Sequence, residues 1–215
     1  MSNDDRRIAA ASALRELGHD FVGRDLSDAQ LEELTRVLHD VLSDVRSAPL
    51  RERSATKEHV ESFKFVFPDE QPAGRQHFFL DSVVSGGANP MGLDATVWRD
   101  AETAVMEVTF GKAFEGAPGR THGGVVAALI DETMGFVSAI HGLIAFTAQL
   151  NITFVSPSPI DEKVVARAWR TGHDGRKQYV EAEVRSAESL IATAEAVFIT
   201  IDVQKFLEHI TIEST

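Results

Sequence analysis

The stretch "PGRTHGGVVAALIDETMG", residues 118–135, decides the fold. Pro118, Gly119 and the pair Gly123–Gly124 break any preceding strand. The chain then turns almost wholly apolar through Val125, Val126, Ala127, Ala128, Leu129 and Ile130, and again at Met134, Phe136 and Val137. This spacing predicts a helix from about Gly123 to Ile140. A helix that is apolar on every side must be enclosed by other structure. Yet Asp131 and Glu132 stand in its middle, and carboxylates among apolar neighbours are costly unless the charge is used or paired.

The segments on either side read as strands. Upstream, "FKFVF" (63–67), "HFFLDSVV" (77–84), "DATVWRD" (94–100) and "AVMEVTFG" (104–111) are strand candidates, with Ala104, Met106, Val108 and Phe110 on one face. Downstream, "AFTAQLNITFV" (145–155), "EKVVARAWRTG" (162–172), "KQYVEAEVRS" (177–186) and "LIATAEAVFITID" (190–202) follow one another, with a hairpin signal at Asp174-Gly175 and a weaker one at "SAES". Strands, one apolar helix and then an antiparallel run predict an α+β fold: one curved sheet wrapped around a single long central helix.

Before residue 50 the period is helical. "DDRRIAAASALRELG" places Ile8, Ala11, Leu14 and Leu17 on one stripe, with Gly18 as its stop. A second helix starts at the N-cap Ser27, repeats Leu31, Leu34, Val37, Leu38, Val41, Leu42 and Val45, and ends before Pro49. The expected organisation is a helical-hairpin extension (1–50), a linker (51–60), the sheet-and-helix domain (61–205) and a tail (206–215).

Composition limits the function. The chain of 215 residues is 43% hydrophobic and 25% charged, with a net charge of −12. That excess of acid argues against a nucleic-acid surface, which needs a basic face. It leaves room for a small anionic ligand held by a few cations. With no cysteine, disulfides, thiolate metal sites and a cysteine nucleophile are excluded. The histidines show no metal-ligand spacing, so no metal is expected. The N-terminus lacks a basic-then-apolar signal pattern and no run approaches ~18 consecutive apolar residues. A cytoplasmic protein that crosses no membrane is expected.

Three segments together resemble a known family. "GAPGRTHGG", "AALIDETMG" and "FTAQLNITFVSPSPI", with "SGGANPMGL" upstream, are similar to the hotdog-fold acyl-CoA thioesterases of the PaaI type, in the 4-hydroxybenzoyl-CoA thioesterase-like superfamily. The similarity covers residues 80–202. It implies that Asp131 is the catalytic carboxylate, acting as general base or nucleophile, and that Thr147 helps position the attacking water. It implies further that Gly175, Arg176 and Lys177 lie by the coenzyme A nucleotide, with Thr153 on the neighbouring strand. Asn89 either binds the substrate carbonyl or water, or makes a turn. No cofactor is implied, since coenzyme A is part of the substrate. Ser156 stands where many relatives carry a basic residue, which leaves the carrier, coenzyme A or acyl carrier protein, open.

The helix start supplies the rest. Gly123 and Gly124 would present unpaired N–H groups and a partial positive charge to a thioester carbonyl. His122 would support that site or hold its loop. Glu132 is the rival acid, ~100° further round the helix. Because His122 and Asp131 are nine residues apart, they lie about 13.5 Å apart along one helix. One small carbonyl cannot touch both, so the expected enzyme is a homodimer, or a dimer of dimers, that completes each site between two chains. The alternatives are a non-catalytic acyl-CoA-binding sensor and, ranked below it, a hydratase.

Overall fold

The computed structural model describes residues 1–51, 79–187 and 189–202. The expected strand at 63–67, nearly all of the linker and the tail 206–215 lie outside the described residues. Helix α1 (Asn3–Gly23) and helix α2 (Asp28–Ser47) come first. They are followed by β1 (Thr96–Asp100), β2 (Thr103–Thr109), a 3-10 turn (Lys112–Phe114) and α3 (Gly123–Ile140). Strands β3 (Ala145–Phe154), β4 (Lys163–Asp174), β5 (Lys177–Ser186) and β6 (Ser189–Thr200) complete the order.

The six strands form one sheet in the order β1-β2-β4-β5-β6-β3, every neighbouring pair antiparallel. The sheet curls around α3, which packs against β2, β4, β5 and β3. Size complementarity makes this possible. The helix turns Leu129, Ile130, Met134, Phe136 and Val137 inward, and the sheet meets them with small residues, among them Ala166, Ala168, Ala182, Ala192 and Ala194. Bulky side chains on one layer and alanines on the other let the two approach without voids. The face read from β2 is as expected, with Ala104, Met106, Val108 and Phe110 all buried. By length and a mean hydropathy of 1.4, α3 would also be apolar enough to cross a membrane; its burial within the sheet makes it a core helix.

Three expectations need correction. Residues 79–84 of "HFFLDSVV" form turns, not a strand. Their backbone groups pair locally, Ser82 N–H to the Phe79 carbonyl (2.9 Å) and Ala88 N–H to the Leu80 carbonyl (2.8 Å). Second, α1 does not stop at Gly18 but continues to Gly23. Its buried face holds Ala11 and Arg15, while Leu14 and Leu17 are exposed. The polar contacts of Arg15 and His19 set that rotation. Third, α1 and α2 do not close into a packed hairpin. Ser27 caps α2 as expected, with Gln30 reaching back in a capping box, but no α2 residue is buried and its apolar stripe is exposed.

His19 ties α1 to the domain. Its Nδ1 accepts the Ala113 N–H (3.1 Å) and its ring meets Phe114 edge-on at 5.1 Å. Burial holds its pKa below the ordinary 6.5; Asp161 and Asp20 pull upward and Arg15 pushes down. The folded state therefore binds fewer protons here than the unfolded chain. The stability from His19 is complete above its unfolded pKa and is lost as pH falls through the lowered folded value. Thermal melts from about pH 7 to about pH 5 should fall more steeply for the wild type than for His19→Phe, which cannot titrate there.

Candidate active site

The start of α3 is built by a tight loop. His122 is the N-cap, and its Nδ1 accepts the Gly124 N–H at 3.0 Å. The His122 N–H donates to the Phe114 carbonyl (2.9 Å), and Thr121 is tied to the Ser158 and Pro159 carbonyls at 2.9 and 3.0 Å. Gly116 must be glycine, because a Cβ there would lie 2.9 Å from the His122 Cα. Gly119 supplies the left-handed turn, with φ +74°. With Gly124 occupied by His122, the first free donor is Gly123, whose N–H meets no acceptor among the described residues. Gly123 is exposed. It opens onto a groove of about 440 Å³ shared with Arg120, Val126, Phe154 and Ser156.

Further along the helix, the structure separates the two acids. Asp131 is half-buried, and its Oδ1 accepts the Thr147 hydroxyl at 2.7 Å. A register shift in the β3–β6 pairing falls between Thr147 and Gln149. Such bulges bend a strand and re-aim its side chains, and here one lies immediately beside the Thr147–Asp131 bond. Glu132 is fully engaged elsewhere. It accepts the Ser82 hydroxyl (2.5 Å), the Ser85 N–H (3.1 Å) and the Ser85 hydroxyl. Glu132 thus fastens the loop before β1, and Asp131 is left as the acid with an open side.

The helix start and Asp131 do not meet within one chain. Gly123 lies against Phe154, whose ring would be 3.5 Å from a Cβ at that glycine. Asp131 lies against Thr147. The two halves therefore lie eight residues, about 12 Å, apart along α3, and meet side chains from opposite ends of β3. Beyond β3 the sheet ends; its outer edge pairs with no strand among the described residues. Phe146 and Phe154 on it are each 53% exposed.

The expected nucleotide residues are also divided. Lys177 pairs with Ile199, and Ile199 with Phe146, whereas Thr153 pairs with Thr193. Six β6 residues, about 20 Å, separate Thr153 from the Gly175–Lys177 turn. Within one chain the strand holding Thr153 is not the neighbour of the turn, because β6 lies between β5 and β3. Arg176 donates its Nε–H to the Thr200 carbonyl (2.9 Å). Asn89 makes a turn. Its Oδ1 accepts the Met91 N–H (2.9 Å) and its amide donates to the Asp81 carbonyl (3.2 Å).

Residues 118–192 match the family model of the thioesterase superfamily. This segment is similar to that superfamily. It holds both half-sites, Gly123 and the Asp131–Thr147 pair. The acyl-coenzyme A thioesterase THEM4 of Mus musculus is 37% identical over 97 residues, 44% of this chain and 42% of that protein. THEM4 of Bos taurus is 29% identical over 162 residues, 73% of this chain and 67% of that protein. THEM4 of Rattus norvegicus is 35% identical over 143 residues, 65% of this chain and 60% of that protein. The chain thus spans 42 to 67% of the length of these curated relatives. A crystal structure of a thioesterase superfamily protein aligns with a TM-score of 0.74 at 22% identity, over 92% of this chain and 91% of that one. The architecture is the hotdog fold, a single antiparallel sheet around one long helix.

Sequence reading missed four contributors: Ser82 and Ser85, which bind Glu132, and Arg15 and His19 on α1. Nothing in local spacing could have found the last two, since their partners lie more than seventy residues away.

Proposed function

We propose that the protein is an acyl-CoA thioesterase of the PaaI type, acting as a two-fold homodimer. The observation that carries this reading is the Asp131–Thr147 pair, hydrogen-bonded at 2.7 Å at one end of a strand that is the sheet's edge among the described residues and whose other end meets the glycine-led helix start. The curated relatives are named acyl-coenzyme A thioesterases, which supports the substrate class.

An antiparallel meeting of β3 with β3 of a second copy would join the two sheets. It would bring Asp131 and Thr147 of one chain to the Gly123 end of the other, twice over. The same operation would bring Thr153 of the second copy toward Arg176 and Lys177, whose charges suit the phosphates of coenzyme A.

Thr147 donates to Oδ1 of Asp131, which leaves Oδ2 to take a proton from a water molecule that Thr147 also orients. As Asp131 takes that proton, the water oxygen bonds to the thioester carbonyl carbon. The developing oxyanion accepts the Gly123 N–H of the other chain, in the field of the helix start. Collapse breaks the carbon–sulfur bond. The thiolate leaves with the proton from Asp131, giving free acid and coenzyme A. The reaction asks for no cofactor.

The test is complementation, read by thiol release from acetyl-, hexanoyl-, palmitoyl- and benzoyl-CoA. Gly123→Pro removes the donor while suiting the first helical position, and His122 already has the extended backbone (φ −62°, ψ 133°) that precedes proline. Homodimers of Asp131→Asn and of Gly123→Pro should both be nearly inactive. A heterodimer containing one of each regains one intact site, and with it about half of wild-type activity per dimer. A dead heterodimer overturns the shared site. A wild-type chain that binds the thioesters without releasing thiol would instead be an acyl-CoA sensor.

A further inference from the structure

Helix α1 lies outside the matched segment, yet it contacts the loop that Glu132 grips and the turn that precedes the cap of α3. Arg15 is 9% exposed. Its guanidinium donates to the carbonyls of Gly87 (3.1 Å) and Asn89 (2.7 Å) and pairs with the Asp94 carboxylate (2.9 Å). These three acceptors belong to the loop that Glu132 grips from the other side through Ser82 and Ser85. Glu132 is the neighbour of Asp131. The loop is thereby clamped between α1 and the acid-bearing turn of α3. Asp94 itself takes φ +56°, a conformation unfavourable for a residue with a side chain, and the fork of Arg15 holds it there.

One turn further on, His19 reaches the other half. It accepts the Ala113 N–H and meets the Phe114 ring edge-on. The Phe114 carbonyl receives the His122 N–H, so the next link is the cap of α3 itself. The approach is close: a Cβ on Gly111 would lie 2.6 Å from the His19 Nδ1.

We infer that α1 is a brace for catalysis, in which Arg15 positions the Asp131 half-site through loop 82–94 and His19 positions the oxyanion half-site through Ala113 and Phe114. This rests on the thioesterase reading for its kinetic part only. Neither residue touches substrate; both are positioning residues. Their effects belong to different half-sites, and that separation is something a general loss of stability would not produce.

The test uses the full-length protein and three variants. Arg15→Lys keeps a charge for Asp94 but cannot fork onto both carbonyls. His19→Phe keeps the ring against Phe114 and loses the acceptor, and His19→Asn restores an acceptor. Hydrogen exchange requires no substrate. Arg15→Lys should speed amide exchange in residues 82–94 and leave 112–125 unchanged, and His19→Phe should do the reverse. On the acyl-CoA panel, each should lower kcat by about tenfold with KM within about twofold, because small displacements of reacting groups are costly. His19→Asn should recover most of the His19→Phe loss. Exchange that rises in both segments with either variant, or local exchange changes with kcat unaltered, overturns the brace. If the wild type releases no thiol from any panel member, the thioesterase reading falls, and the exchange pattern still decides whether α1 braces the two loops.

Discussion

Asp131→Asn is expected to lower kcat for thioester hydrolysis by about a thousandfold while the protein stays folded, whereas Glu132→Gln one residue away keeps kcat within about tenfold. The two acids are chemically similar and adjacent, so the contrast isolates geometry. Asp131 has one hydrogen-bond partner among the described residues, Thr147, and an open side. An amide in its place can still accept the Thr147 hydroxyl but cannot take a proton from water. Glu132 is surrounded by donors from Ser82 and Ser85. Replacing it by an amide weakens charge-assisted bonds and sets an NH2 group against a donor, at a cost of about 1–3 kcal/mol in stability. Thiol release under saturating substrate and thermal melting measure the two effects separately. Loss of turnover in Glu132→Gln at unchanged melting temperature would move the catalytic assignment to Glu132.

Gly86→Ala is expected to cost about 3 kcal/mol of stability, a large effect for one methyl group. A Cβ at Gly86 would lie 2.3 Å from the Ser82 nitrogen, 2.4 Å from the Ser82 carbonyl oxygen and 2.8 Å from the Leu80 carbonyl oxygen. All three are backbone atoms, so no side-chain rotation relieves the clash and the turn itself must open. Opening it withdraws the Ser82 hydroxyl from Glu132. The loop would then lose its grip on α3, and denaturant unfolding should show a lowered midpoint. Gly123→Ala is the control. Its Cβ meets only the Phe154 ring, at an ordinary 3.5 Å, so it should be tolerated within about 1 kcal/mol. Equal midpoints for Gly86→Ala and wild type would show that residues 80–86 repack without loss.

The sequence by itself determined the central helix, strands β1 to β6 and the hairpin at Gly175, which takes φ +55°. Each of these follows from local periodicity or from a turn residue, signals that span a few neighbours. The pairing of Thr147 with Asp131 was legible only through family resemblance. Tertiary structure alone decided which acid keeps an open side, because Glu132 accepts hydrogen bonds from serines some fifty residues upstream. It also decided which face of α1 is buried. Apolar spacing pointed to Leu14 and Leu17, but a guanidinium with three acceptors in reach outweighed them. The distance between Thr153 and the Gly175–Lys177 turn was likewise invisible, since it depends on strand direction and register across β5, β6 and β3. Local patterns record what a residue prefers beside its neighbours; which distant group satisfies a buried charge is set only when the sheet closes around the helix.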